Sequence, residues 1–196
     1  MKRLSLVLVG LALLALPLTA SQFVPVSFDQ VARESTFVVR GTVEHTYSKW
    51  DDSGEVIFTY ATVRVQRYFG EATGPDTLIV REVGGTVDGY TQEAIGFPVI
   101  RNGENVVFFL APDADAGGTY RIHAYNQGKF LVQNRGGVEV VVPDMNRQGE
   151  ARLERPGRFD MRSNSAELDS ALTLDEFAGM VESARGGEII ETLERK

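Results

Sequence analysis

Two long β-rich runs joined by one turn constrain this chain more than any other feature. Residues 36–50 read TFVVRGTVEHTYSKW, residues 51–54 read DDSG, and residues 55–69 read EVIFTYATVRVQRYF. Phe37, Val39, Gly41 and Val43 alternate with Thr36, Arg40, Thr42 and Glu44, which puts the two sets on opposite faces of a strand. Val38 interrupts the alternation, so the second face is not wholly polar. In the second run Ile57, Ala61, Val63 and Val65 share a face against Thr62, Arg64 and Gln66. Both runs are rich in the β-branched and aromatic residues that suit a pleated, half-buried surface. Asp51-Asp52-Ser53-Gly54 supplies the turn, through side chains that bond nearby backbone and a glycine free to take positive φ. Strands this long must bend, and Gly41 is the expected bend, as at the corner of a small closed barrel.

The strand and turn pattern continues downstream. Thr77–Val83 and Asn105–Ala111 read as strands, and the unbroken apolar run of the second predicts burial on both faces. Thr119–Tyr125, Lys129–Gln133 and Val138–Val142 follow, separated by Gly- and Asn-rich turns. Regular turns without βαβ alternation mean an antiparallel meander or barrel. Gly84 to Ile100 is the longest irregular connection, expected to cross the barrel with a short strand near Phe97 to Ile100. Before the barrel, Ser27 caps a short helix carrying Phe28, Val31 and Ala32. After it, Thr173-Leu174-Asp175-Glu176 is a capping box that opens a helix with the apolar stripe Phe177, Met180, Val181 and Ala184, stopped at Gly186-Gly187. This helix is expected to dock on its own barrel.

The first twenty residues, MKRLSLVLVGLALLALPLTA, have the charged start, short apolar core and small terminal residue of a secretory signal peptide. The expected organisation is therefore a signal peptide at 1–20, a β-barrel domain at 21–143, an irregular linker at 144–171, and a C-terminal helix and tail at 172–196. Export to the periplasm or the extracellular space follows, with no membrane span after the leader is removed. The absence of cysteine excludes disulfides, thiolate zinc sites, a cysteine nucleophile and lipid attachment through cysteine. An exported chain without cysteine points to a bacterial product. The net charge of −7 becomes −9 once Lys2 and Arg3 leave with the signal peptide, which argues against nucleic acid as partner. A hydrophobic fraction of 43% and a charged fraction of 24% mark a globular chain rather than a disordered one.

No nucleophile motif, zinc motif or phosphate-binding glycine loop occurs. His45 and His123 fall within predicted strands, each able to pair with a carboxylate. Asp113-Ala114-Asp115-Ala116-Gly117 resembles the start of a calcium loop, but alanine stands at position 124, where the bidentate acid belongs. Asp51, Asp52 and Glu55 are read as solvated turn acids. No cofactor is expected. Two groups remain as candidate sites. Tyr47, Trp50, Phe58 and Tyr60 gather at the hairpin end, either as cross-strand pairs or as a contact surface. Asp88, Tyr90 and Glu93 lie in the 84–100 loop.

Several phrases carry a resemblance. Thr36 to Val43, the turn at Arg67-Tyr68-Phe69-Gly70, and Gly103 to Leu110 are similar to stretches of the netrin-like domain. That domain is the OB-type barrel also found in tissue inhibitors of metalloproteinases. The likeness spans roughly residues 30–142, and it extends to exported bacterial proteins ending in an L-x-L-x-E-F helix, here Leu172 to Phe177. It implies a mainly β fold: an OB-like, Greek-key antiparallel barrel with a short N-terminal helix and a C-terminal helix. It implies no activity. The inhibitors' disulfides cannot form here, nor can their zinc chelation by an N-terminal cysteine, since the mature chain would begin near Ser21.

The leading expectation is a non-enzymatic binding module for a protein or envelope component, of unassigned oligomeric state. The alternatives are a secreted hydrolase inhibitor and an enzyme with its site in the 84–100 loop.

Overall fold

The computed structural model describes residues 26–144, 152–154, 158–160 and 171–186. The expected signal peptide, most of the expected linker and the tail beyond Gly186 lie outside these residues. Strands β1 (Phe37–Trp50), β2 (Ile57–Tyr68), β3 (Thr77–Val83), β6 (Asn105–Pro112) and β7 (Tyr120–Ile122) close a five-stranded barrel. β1 pairs with β2 and with β6, β2 with β3, and β6 with β7. The ring closes where β3 meets β7 at Val80 and Tyr120. The fold is thus a mainly β barrel, as the turn spacing predicts, and OB-like, as the resemblance implies. One seam differs from the all-antiparallel expectation, because β3 and β7 run parallel. In compensation the Glu82 side chain accepts from the Ile122 amide at 2.6 Å, a bond placed where the backbone ladder is short.

The barrel grows on one side. β8 (Lys129–Arg135) pairs with β6, β9 (Val138–Pro143) with β8, and β12 (Leu172–Thr173) with β9. Within the stretch expected to be irregular, β10 (Arg152–Glu154) pairs with β11 (Arg158–Asp160). Helices α1 (Phe28–Glu34) and α2 (Leu174–Gly186) form a further layer.

Two apolar cores result, and β6 separates them. Val106, Phe108 and Leu110 face the barrel interior with Val39, Val43, Ala61, Val63, Leu78 and Val80. Val107 and Phe109, alternating with them, face the helices among Phe28, Val31, Phe130 and Phe177. This is why an eight-residue strand carries an unbroken apolar run: each parity serves a different core. Val38, the break in the β1 pattern, belongs to the helix layer for the same reason.

The caps form as the sequence predicts. The Gln30 amide donates to Ser27 Oγ at 3.2 Å. The Glu176 amide donates to Thr173 Oγ1 at 3.2 Å, while the Thr173 amide donates to Glu176 Oε2 at 3.0 Å. Arg185, in the last turn of α2, donates to the Ser35 carbonyl at 3.1 Å and the Thr36 carbonyl at 3.3 Å, where α1 ends. The same guanidinium reaches the Ala32 carbonyl of α1 at 3.4 Å, one of those the helix leaves without an internal partner. Gly41 sits beside a slip in the β1–β2 register. A Cβ at Gly41 would stand 2.6 Å from the Arg64 carbonyl oxygen, so close backbone approach rather than unusual φ requires glycine.

The expected Asp51–Gly54 turn forms, with the Gly54 amide donating to the Asp51 carbonyl at 3.0 Å and Gly54 at a φ of 74°. It sits within a six-residue loop, Asp51–Val56, closed by an Asp51 amide bond to the Val56 carbonyl at 2.7 Å. Asp51 Oδ1 also accepts from the Val56 and Glu55 amides at 3.0 and 2.9 Å, and Ser53 Oγ donates to Oδ2 at 2.7 Å; these bonds, that of Val56 foremost, hold its carboxyl below the usual range. Two local expectations are corrected. Residues 97–100 form no strand; instead β4 (Gly85–Val87) and β5 (Tyr90–Gln92) make a hairpin. Its turn residues Asp88 and Gly89 have φ of 50° and 83°, the positive values that a two-residue hairpin turn demands. Finally, the strand expected over Thr119–Tyr125 ends at Ile122. Ala124 and Tyr125 take φ of 58° and 57°, and a 3₁₀ turn (Tyr125–Gly128) follows.

Candidate functional site

The outer face of β1, β2 and β3 presents three rows of side chains fixed by register. His45, Thr62 and Ile79 form one row, Tyr47, Tyr60 and Arg81 the next, and Lys49, Phe58 and Val83 the third. The Asp51–Val56 loop bounds the face at one end. The β6–β7 loop, through Asp113 and Asp115, reaches its β3 edge.

The rings on this face stack in a ladder. Tyr47 lies over Tyr60 with centroids 5.1 Å apart and planes 7° from parallel. His45 stacks on the other side of Tyr47 at 6.2 Å, and Lys49 Nζ stands 5.0 Å from the centre of the Tyr60 ring. These are cross-strand contacts of the kind that stiffen a hairpin. They also leave ring edges and the Lys49 ammonium in solvent: Tyr47 remains 47% exposed and Lys49 is exposed as well. Arg81 lies 4.2 Å over the Phe58 ring and is anchored by Asp113 at 2.5 Å.

Asp113 is committed to structure. Its Oδ1 accepts from the Asp115 amide at 3.0 Å and its Oδ2 pairs with Arg81. The calcium-like phrase is therefore a turn that clamps a strand arginine. Among the described residues, no three His, Asp or Glu side chains gather as a metal site. His123 pairs with Glu34 at 3.2 Å, tying the end of β7 to α1.

The four hairpin aromatics divide between two faces. Tyr47, Phe58 and Tyr60 share the outer one. Trp50 points to the other, where its ring meets Tyr90 edge-on at 6.1 Å. The β4–β5 hairpin docks on this second face. Thr59 Oγ1 donates to the Gly84 carbonyl at 2.7 Å, the Gly84 amide to the Ile57 carbonyl at 2.7 Å, and the Ile57 amide to Gln92 Oε1 at 2.6 Å. A Cβ at Gly85 would stand 2.3 Å from Ser48 Oγ, so only glycine allows this approach. The two candidate groups thus meet at Trp50 and Tyr90. Asp88, Tyr90 and Glu93 are all exposed, with Asp88 in the turn itself.

A second buried carboxyl of this region, beside Asp113, is Glu82, a residue not singled out from sequence. Its parity with Leu78 and Val80 is the signal, since alternation along β3 turns it inward. Burial, the largest influence, pushes its pKa up to about 7 from an ordinary 4.5, opposed by the Ile122 amide and by Arg121, 3.8 Å away. The folded state therefore binds this proton more tightly than the unfolded chain. Stability contributed by the protonated carboxyl is full below pH 4.5 and lost as pH rises toward 7. Glu82→Gln keeps an acceptor for Ile122 and never ionises. It is expected to be as stable as the parent at pH 4 and about 3 kcal/mol more stable at pH 8. Urea unfolding at the two pH values checks this; an equal difference at both would remove ionisation as the cause.

No helix among the described residues is long and apolar enough to cross a membrane. Compared with protein families, with characterised proteins and with solved structures, the chain shows no match.

Proposed function

We infer that this chain is an exported binding module that takes a protein or envelope component on the outer face of β1, β2 and β3. The observation that carries the reading is the exposed His45–Tyr47–Tyr60–Lys49 ladder. It stands on the strand face, flanked by the β1–β2 and β6–β7 loops, where OB barrels in general hold their ligands. That step is an analogy of fold. Tyrosine edges beside the Lys49 ammonium suit a polypeptide surface, combining rigid apolar area with hydrogen-bonding tips. The net charge of −7 disfavours a phosphate backbone. Export rests on the leader-like residues 1–20. Kinship with netrin-like domains belongs to the same proposal and is supported by the OB-like barrel, without the cysteine-dependent inhibitory mode.

The test is a crosslinking pull-down from the native envelope or secretome, followed by binding measurements on the captured partner. Tyr47→Ala is expected to weaken binding about tenfold or more, as truncating an interface tyrosine does, with little loss of stability at so exposed a site. Unchanged affinity for every stoichiometric partner would remove this face from the proposal.

A further inference from the structure

We propose that the free edge of the β1 arm, Thr46 to Trp50, pairs with the same edge of a second copy, making a two-fold dimer with one continuous six-stranded sheet. This goes beyond the ligand reading and does not rest on it.

The edge is defined by hydrogen bonding. β6 pairs with β1 only from Phe37 to Thr42, and the Val43 amide and carbonyl are taken up by Glu104 and Gly103. Beyond that point β1 has β2 on one side only. The Asp51 amide bonds the Val56 carbonyl. Antiparallel alternation then makes Lys49–Phe58, Tyr47–Tyr60 and His45–Thr62 the bonded pairs. The backbone groups of Thr46, Ser48 and Trp50 therefore point away from β2, and no strand among the described residues pairs with them. An unpaired row of this kind is a template for strand addition.

Charge selects the occupant and the register. With Ser48 facing Ser48 of the second copy, Thr46 and Trp50 exchange bonds across the two-fold axis. On the outer face Lys49 lies opposite Tyr47 of the second copy, and His45 lies opposite Asp51. No like charges oppose one another from His45 to Asp51; the next pair out sets Asp52 against Glu44 of the second copy, whose charge Arg64 already offsets. Centring the axis on Tyr47 would pair Thr46 with Ser48 and leave the Trp50 backbone outside the free edge, and centring it on Lys49 would set two lysines together, unfavourable in a directly opposed pair. The favoured register also brings the acidic tip, Asp52 and Glu55, toward the Arg101–Glu104 turn of the other copy, where Arg101 is exposed. The edge thus complements itself, and the dimer joins two Tyr47–Tyr60 ladders on one surface.

Sedimentation equilibrium of the purified chain over a wide concentration range is the first measurement. A reversible monomer–dimer equilibrium is expected, lost in Ser48→Pro, which removes an edge donor. Lys49→Glu, an exposed change that spares the fold, is expected to weaken association about tenfold and stands in should Ser48→Pro fail to fold. The chain has no cysteine, so single cysteines report pairing cleanly. Under mild oxidation, Tyr47→Cys mixed with Lys49→Cys should give the mixed disulfide. That pair would sit about 4.5 Å apart between Cα atoms, within disulfide reach. A monomer at every concentration would overturn the proposal, as would a dimer indifferent to both edge variants. Disulfide formation by Tyr47→Cys alone would overturn the register.

Discussion

Lys129→Met is expected to cost about 3–5 kcal/mol of folding stability at neutral pH, although methionine fits the space and is more apolar. The Lys129 side chain is fully buried at the start of β8. Its Nζ donates to the Val99 carbonyl at 2.5 Å and to Glu104 Oε2 at 2.7 Å, and it stands 2.6 Å from Asp144 Oδ2. One ammonium therefore joins the 93–104 segment, the turn before β6 and the end of β9. Removing it leaves two largely buried carboxylates close together without a counter-charge, and one carbonyl without its donor. The penalty comes from those abandoned groups, not from the lost attraction, because a buried ion pair in isolation contributes little. This distinction makes the prediction testable by rescue. Lys129→Met combined with Glu104→Gln should recover part of the loss. Chemical denaturation of the parent, the single variant and the pair decides the matter. A single variant within about 1 kcal/mol of the parent would mean that water reaches these carboxylates.

Lys129 also marks the limit of what the sequence makes legible. A lysine opening a strand beside Phe130 reads as a solvated end, since no local pattern records that a segment thirty residues earlier folds over it. The barrel was legible because its determinants are local: alternation in β1 and β2, turn residues at regular spacing, and the apolar run of β6. The caps at Ser27 and Thr173 were legible for the same reason. The β4–β5 hairpin was written locally too, in the Asp88-Gly89 pair, but its strands are three residues long and lack an apolar face. Much of their fixation comes from Gly84, Gly85 and Gln92 bonding or packing against β1 and β2. The end of β7 at Ile122 was hidden because Ala124 and Tyr125 adopt positive φ, a conformation that neither residue type advertises. At the candidate site, the aromatic residues were evident but their division between faces was not. Tyr47 and Trp50 are three apart, so opposite parity separates them, and the register with Tyr60 and Phe58 decides which rings meet.

Phe177→Ala is expected to be the most damaging single truncation in the helix layer, at about 3–5 kcal/mol. The ring is wholly buried in α2 and meets Phe28 at 5.5 Å, Phe130 at 5.2 Å, Phe109 at 6.1 Å and Phe69 at 6.3 Å. Those four rings come from α1, β8, β6 and the residue after β2, so one side chain links four separate parts of the chain. Alanine would leave a cavity that a rigid sheet on one side cannot collapse to fill. The two cores share β6, whose Phe109 touches Phe177 while its neighbours Phe108 and Leu110 line the barrel. Damage at Phe177 is therefore expected to reach the whole fold. The denaturation midpoint should fall with the slope m unchanged, because the same surface is exposed in one transition. A fall in m would instead mean that α1 and α2 detach before the barrel unfolds, with hydrogen exchange accelerated in the helices alone. Phe177→Leu, which refills most of the volume, should restore well over half of the loss. If it restores nothing, the edge-on ring contacts rather than the filled space hold the helix in place.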